Sequence, residues 1–377
     1  MIPTDNTKRS KTMWTRLCTQ MFFWVIVVGT AWAQELDLEL EWIRLDKGTP
    51  MHYVSTLEGA DHRLYAGTSA GLLFSENGGN TWSPTTFGNE DEVITTFGNE
   101  DEVITTLTTD GNTVYVGTWR HGIFRSDDAG ETWEPLNEGL RFQDVDGEHF
   151  YGTVRHILII DNTIINVMYH GGTYISTDRG ETWHDVSKEW YAGNSIYAIT
   201  AFDGYLWTAI STNSMARSPD DGQTWQNLPL SQCDRTNDWA VLQGRLYVAG
   251  QRGVGRWSET LQTWEYPMDG LPIDNAEDSN DRPYVYSFAV RGGYLFAGLA
   301  AHGVYVFDAQ SETWSAMGLQ GLSIDALLSY GDGLYVGTRE NGVYRAELPV
   351  IPPVSVQLQG KAVTTWARLK QTTHKRD

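Results

Sequence analysis

Between residues 40 and 348 the chain is a succession of short apolar runs separated by Gly, Asp and Asn. Runs this short, bounded by turn residues, predict strands. They also repeat. One module recurs as a strand, a Gly or Asp turn, a strand of the type Leu-Tyr-Val-Gly-Thr, a second short turn, and a strand ending in Ser-x-Asp-x-Gly-x-Thr-Trp. Its second strand occurs seven times, at Leu64–Thr68, Val114–Thr118, Ile164–Met168, Tyr205–Ala209, Leu246–Gly250, Leu295–Leu299 and Leu334–Thr338. A repeat of this length and content predicts an all-β chain, a single seven-bladed β-propeller.

The closing motif is complete at Ser126–Trp133, Ser176–Trp183 and Ser218–Trp225, and has Asn77 in place of Asp within Ser75–Trp82. In two further modules it is worn down to Thr263-Trp264 and Thr313-Trp314. Each residue type has a physical task. The side chains of Asn77, Asp128, Asp178 and Asp220, with the Ser hydroxyls, can accept backbone N–H groups in a tight turn. Gly supplies positive φ, and Trp offers a large face to bury. These residues are therefore read as structural.

The seventh module stops after its third strand, at Arg345–Leu348, and has no Trp strand of its own. Its partner is expected at the other end of the chain. There Trp42-Ile43-Arg44-Leu45 places Trp three residues before Leu, as Trp133-Glu134-Pro135-Leu136 does, and Gly48 and Gly139 each follow that Leu by three. An N-terminal strand pairing with the last blade would close the ring and remove two sheet edges. Counted from Trp42, the Trp anchors lie 40, 51, 50, 42, 39 and 50 residues apart. The interval of 51 holds a perfect ten-residue duplication, Thr85–Ile94 and Thr95–Ile104. Val103–Leu107 is expected to form the inner strand with the first copy looped out, although identical copies leave the register locally degenerate.

The ends differ from this middle. Residues 1–33 read as a removable export signal, with basic Lys8, Arg9, Lys11 and Arg16, an apolar run from Met21 to Gly29, and small residues at Ala31-Trp32-Ala33. The run is too short to span a bilayer comfortably, since that takes roughly 20 apolar residues. The propeller is assigned to residues 34–348, and 349–377 to a Pro-containing linker and basic tail with Lys361, Arg368, Lys370, Lys375 and Arg376. The expected destination is secretion or the periplasm, with no stable membrane insertion after signal removal. Cys18 lies in the signal and Cys233 stands alone, so stability must come from packing and not from a disulfide.

The formal charge of the 377-residue chain is −21, and loss of the signal leaves −24 on the remainder. A nucleic-acid partner is disfavoured, because phosphate contact wants a basic face. The phosphate-binding Gly-Lys loop and the His-Glu-x-x-His pair are missing from the sequence, as is any Cys cluster. No cofactor or metal site is expected, and the chain is expected to be a monomer.

In a four-stranded blade the third-to-fourth turns, and so the Asp-boxes, lie on one face, while the second-to-third turns and the inter-blade links lie on the other. Those second-to-third turns carry Ser69-Ala70, Trp119-Arg120-His121, Tyr169-His170, Thr212-Asn213, Gln251-Arg252, Ala301-His302 and Arg339-Glu340-Asn341. Trp119, Arg120, His121, His170, Arg252, His302 and Arg339 are the candidate ligand-binding residues. Two long links on that face, Glu138–Thr153 and Gly270–Tyr286, mix carboxylates with aromatic residues. Asp144-x-Asp146-x-Glu148 does not complete a calcium loop. Asp144, Asp146 and Asp281 are the catalytic candidates if a glycoside is hydrolysed by paired carboxylates.

On the Ser-x-Asp-x-Gly-x-Thr-Trp copies, residues 40–348 resemble the Asp-box (bacterial neuraminidase repeat) superfamily of β-propellers. The short modules look like the photosystem II stability and assembly factor type and the sortilin-type propellers, and are similar to those of xyloglucan hydrolases. The resemblance implies the fold and leaves the activity open. Sialidases with this repeat carry an Arg-Ile-Pro motif that is missing here, where Trp42-Ile43-Arg44-Leu45 does not match. Xyloglucan hydrolases clasp a glycan between two propellers, and this chain has one. Two expectations follow. The first is a non-catalytic binding or assembly module for a protein or glycan, gripped on the face opposite the boxes. The second is a glycoside hydrolase, sialidase-like or xyloglucanase-like.

Overall fold

The structure is a computed structural model that describes residues 40–45, 51, 53–85, 103–145, 148–169, 172–186, 196–210, 214–229, 231–233, 235–274 and 282–348. The expected signal, most of the duplicated segment and the basic tail lie outside these residues. Seven four-stranded antiparallel sheets and one two-stranded sheet are formed. Blade 1 is Val54–Ala60, Arg63–Thr68, Gly71–Ser75 and Ser83–Pro84; blade 2 is Ile104–Asp110, Thr113–Thr118, Ile123–Ser126 and Glu134–Pro135. Blade 3 is Thr153–Ile160, Thr163–Tyr169, Gly172–Ser176 and His184–Asp185; blade 4 is Ile196–Phe202, Tyr205–Ile210, Ser214–Ser218 and Gln226–Leu228. Blade 5 is Asp238–Leu242, Arg245–Gly250, Gly253–Ser258 and Thr263–Glu265; blade 6 is Val285–Arg291, Tyr294–Leu299, Gly303–Asp308 and Thr313–Gly318.

Blade 7 comprises Ile324–Tyr330, Gly333–Thr338 and Val343–Glu347, and its outer strand is Ile43–Arg44, with Ile43 opposite Arg345 and Arg44 opposite Tyr344. Its third strand starts at Val343, two residues before the sequence-based start, because Gly342 already makes the turn with φ +73. The first strands of successive blades pack side by side, and that of blade 7 lies beside that of blade 1. The Gly of Leu-Tyr-Val-Gly-Thr has its explanation in this packing. A Cβ on Gly67 would stand 2.6 Å from Ile104 of the next blade, on Gly298 2.6 Å from Ile324, and on Gly337 2.6 Å from Val54. Those glycines let a β-branched residue of the following blade reach the sheet.

The core is the series of blade interfaces. Trp82, Trp133, Trp183, Trp264 and Trp314 are buried there, whereas Trp225 is only half-buried and caps its own turn by donating to the Gly222 carbonyl at 2.9 Å. Cys233 is a free, buried thiol pushed up to about 12 by burial, which makes it a packing residue.

The duplication contributes to two seats. Thr85, the first residue of the first copy, donates to the Gly130 carbonyl at 2.9 Å and accepts Trp133 Nε1 at 2.8 Å. Ile104, the last residue of the second copy, begins the inner strand of blade 2. Deleting Thr85–Ile94 brings Thr95 to the Thr85 seat and leaves Val103 and Ile104 in place. The link shortens by ten residues, which changes loop closure by about 1 kcal/mol or less. A melting temperature within a few degrees of the parent is the expected result; a collapse of folded protein would overturn it.

Each first strand except that of blade 5 has a register shift just after its start, as between Val54 and Thr56 or Val285 and Ser287. In blade 3 the residue after the bulge, and in blade 5 the residue at the matching place, reaches the next blade. His156 Nδ1 accepts the Ile199 amide at 3.2 Å, and Asp238 Oδ2 accepts the Phe288 amide at 2.7 Å. Burial pushes His156 down to about 4 and Asp238 up to about 6. The two act oppositely on stability. His156 is neutral in the folded chain, so its contribution is lost as pH falls from 6.5 towards 4. Asp238 keeps its proton longer in the folded chain, so stability is lost as pH rises from 3.8 towards 6. Asp238→Asn should therefore make urea stability climb more steeply with pH between about 4 and 6 than in the parent. An unchanged slope would count against a protonated Asp238.

Candidate functional site on the face opposite the Asp-boxes

The boxes are fully occupied by their own turns. Asp128 Oδ1 accepts the Thr132 amide at 2.9 Å and the Ser126 hydroxyl at 2.7 Å, and its Oδ2 accepts the Thr132 hydroxyl at 2.6 Å. Ser126 Oγ in turn accepts the Gly130 amide at 2.7 Å, where Gly130 has φ +91. Asp178 and Asp220 repeat the arrangement, and Asn77 Oδ1 accepts the Thr81 amide at 2.9 Å. Although burial opposes it, the hydrogen bonds from Thr132 and Ser126 hold Asp128 down to about 2. The Thr182 hydroxyl leads in holding Asp178 at the same value. Carboxylates saturated in this way have no capacity for proton transfer.

On the other face, the second-to-third turns of blades 1, 2, 6 and 7 are tied to the starts of their blades' first strands. Ser69 donates to the Tyr53 carbonyl at 3.1 Å, Trp119 to Val103 at 3.0 Å, Ala300 to Tyr284 at 2.9 Å and Arg339 to Ser323 at 3.1 Å. The turns thus rim the mouth of the central channel. Trp119 is 48 % exposed there. The link after blade 2, read from sequence as an acidic loop, forms a two-stranded sheet, Phe142–Val145 with Glu148–Tyr151. Aromatic contacts hold it: Phe142 and Tyr151 lie 5.9 Å apart, the Arg120 guanidinium stands 5.4 Å over Phe150, and the Tyr151 amide donates to the Arg120 carbonyl at 2.7 Å. Phe142 is 49 % exposed beside them.

The remaining candidates separate. His121 serves its turn, its amide donating to Thr118 Oγ1 at 2.9 Å and its carbonyl accepting from Asn137 at 3.1 Å. His302 Nε2 meets Asp274 at 2.7 Å on the link before blade 6. Arg252 is exposed on blade 5. Arg339 is neutralised by Asp325 at 2.5 Å, whose side chain is only 6 % exposed, and lies 4.7 Å over the Tyr286 ring. His170, Asp146 and Asp281 lie outside the described residues, as does the side chain of Asp144. Among the described residues, no group of three or more His, Cys, Asp or Glu side chains could hold a metal ion. No helix among them is long and apolar enough to cross a membrane.

The structure adds a cluster that sequence patterning missed. Tyr284 and Tyr286 stack with centroids 4.6 Å apart, Arg155 lies 5.6 Å from the Tyr197 ring, and Tyr169 and Tyr197 approach at 6.0 Å. Burial raises the Tyr53 hydroxyl above its usual range, Asp325 adds to this, and Arg339 and Arg155 oppose it. Burial likewise raises Tyr284, against the Asn237 hydrogen bond and the charges of Arg155 and Arg235. Residues of blades 1, 3, 4, 6 and 7 therefore share one space at the mouth. The signal was present in the repeat: the bulge position reads Ser55, Thr105, Arg155, Tyr197, Asn237, Tyr286 and Asp325, hydroxyls in two blades and departures in the rest.

Fold and boxes together define the class: the chain is a β-propeller that carries Asp-box turns. The BNR/Asp-box repeat model matches residues 174–185. No curated protein matches the chain. Among solved structures it is similar to YCF48 from Cyanidioschyzon merolae, at 14 % identity and a TM-score of 0.60 over 82 % of this chain and 98 % of that one. YCF48 bound to D1 peptide matches at 13 % identity and a TM-score of 0.59, over 82 % of this chain and 97 % of that one. The GH74 xyloglucanase from Xanthomonas campestris matches at 14 % identity and a TM-score of 0.60, over 81 % of this chain and 53 % of that one. The fold is thus shared with a peptide-bound propeller and with a glycoside hydrolase.

Proposed function

We propose that this chain is an exported, non-catalytic binding module that grips a polypeptide partner on the face opposite its Asp-boxes. The observation that carries this reading is the platform of Trp119, Arg120, Phe142, Phe150 and Tyr151. Two half-exposed aromatic rings, Trp119 and Phe142, stand there beside a small sheet on which the Arg120 guanidinium lies over Phe150. Aromatic and Arg side chains fixed in this way are the residue types that dominate protein interfaces. The peptide bound to YCF48, a protein of the same fold, supports a polypeptide in preference to a glycan. The export pattern in residues 1–33 supports an extracytoplasmic site of action.

Trp119→Ala should weaken binding on a peptide array by about tenfold or more, a loss of roughly 1.4 kcal/mol or greater, while melting stays within about 1 °C because the ring is exposed. Release of reducing sugar from a polysaccharide panel, abolished by Asp144→Asn or Asp281→Asn, would instead establish the hydrolase.

A further inference from the structure

Among the described residues, the mouth of the channel holds a guanidinium, that of Arg155, that no carboxylate pairs with. In blades 1 and 2 the bulge residue is a hydroxyl that bridges two blades. Ser55 donates to Gly67 O at 3.0 Å and contacts Ile104 O, and Thr105 donates to Gly117 O at 3.0 Å and contacts Val154 O. Asn237 keeps the link in blade 5 through Val285 O at 3.1 Å. Blade 3 abandons it for Arg155. The Arg155 Nε is buried with no hydrogen-bond partner, and among the described residues no carboxylate pairs with the guanidinium. The guanidinium lies 5.6 Å from the Tyr197 ring and within electrostatic reach of the Tyr53 and Tyr284 hydroxyls. Arg339, at the same mouth, is by contrast fully paired with Asp325.

A half-buried guanidinium whose Nε is shielded from water and unpaired gains most when a ligand supplies the anion. We propose that the channel mouth binds a single carboxylate carried on a flat apolar body. Arg155 receives the carboxylate, and the rings of Tyr197 and Tyr284 provide the walls. Arg155, the one cation at the mouth without a carboxylate partner among the described residues, stands near the buried Asp325, and this favours a singly charged group over a dianion such as phosphate. Flat aromatic walls favour a planar body over an aliphatic one. The assignment rests on this face being the binding face and adds the class of ligand that its centre takes.

Benzoate, its neutral counterpart benzamide, and inorganic phosphate are titrated into the full chain and followed by calorimetry and by the tyrosine signals in NMR. Benzoate is expected to bind about tenfold or more tighter than benzamide. Arg155→Gln should remove that preference while leaving benzamide unchanged, and Arg155→Lys should retain part of it. Trp119→Ala should leave benzoate binding intact, so loss of the macromolecular partner and loss of this site are read separately. Equal binding of benzoate and benzamide, benzoate binding unchanged in Arg155→Gln, or phosphate binding tighter than benzoate would overturn the proposal. If Arg155→Gln does not fold, the benzoate-to-benzamide ratio of the parent protein decides alone.

Discussion

Replacing Leu45 by Ala is expected to destabilise the protein by about 2–5 kcal/mol, a loss out of proportion to the two-residue strand that precedes it. Leu45 is 6 % exposed, donates its amide to the Val343 carbonyl at 2.8 Å, and packs in the cluster containing Met51, Val54, Leu64 and Trp82. It therefore joins blade 7 to blade 1. Its Cδ1 lies 2.6 Å from where a Cβ on Gly79 would stand, the same distance that separates Leu136 from Gly180 two blades on. The contact repeats the one between blades 2 and 3, and it is made here by the N-terminal segment that completes blade 7. Trp42 supports it from the other side by donating Nε1 to the Met317 carbonyl at 2.8 Å. Urea unfolding of Leu45→Ala checks the expectation. A loss below about 0.5 kcal/mol, the range of a neutral surface change, would mean that the N-terminal strand does not hold the ring in solution.

Trp264→Ala should cost about 3–5 kcal/mol, and Trp264→Phe much less, about 1.5 kcal/mol or under. The ring is 5 % exposed and sits among three other indoles, 5.2 Å from Trp257, 6.2 Å from Trp239 and 6.5 Å from Trp207. Ala would open a cavity that this rigid set cannot close. Phe keeps most of the surface and deletes a buried N–H that has no acceptor. The comparison with Trp183 and Trp314 is direct, because those indoles donate to the Leu136 and Pro267 carbonyls at 2.8 and 2.7 Å. Phe substitution should cost more there than at Trp264, by roughly one hydrogen bond or about 1 kcal/mol. Equal losses at the three positions in thermal or urea unfolding would refute that difference.

The site was only partly legible. Trp119, Arg120 and Arg339 were readable as turn residues because a turn's place in the module fixes the face on which it emerges. That Arg339 is neutralised was hidden, since Asp325 lies 14 residues away on a strand where nothing marks it as buried. The small sheet at Phe142–Tyr151 was hidden for a related reason. Its register depends on ring contacts and on the Arg120 carbonyl, which a string of acidic and aromatic letters does not reveal.

By itself the sequence determined the architecture: the module, the seven second strands, the box turns and the Trp anchors. These features act over a few residues, and a Ser, Asp, Gly and Trp at fixed spacing make the same turn wherever they occur. Only the tertiary structure decided what faces the channel. Tyr53, Arg155, Tyr197, Tyr284 and Tyr286 come from four blades and meet because first strands are gathered around one axis. Their proximity follows from closing a ring, and no spacing within a single module contains it.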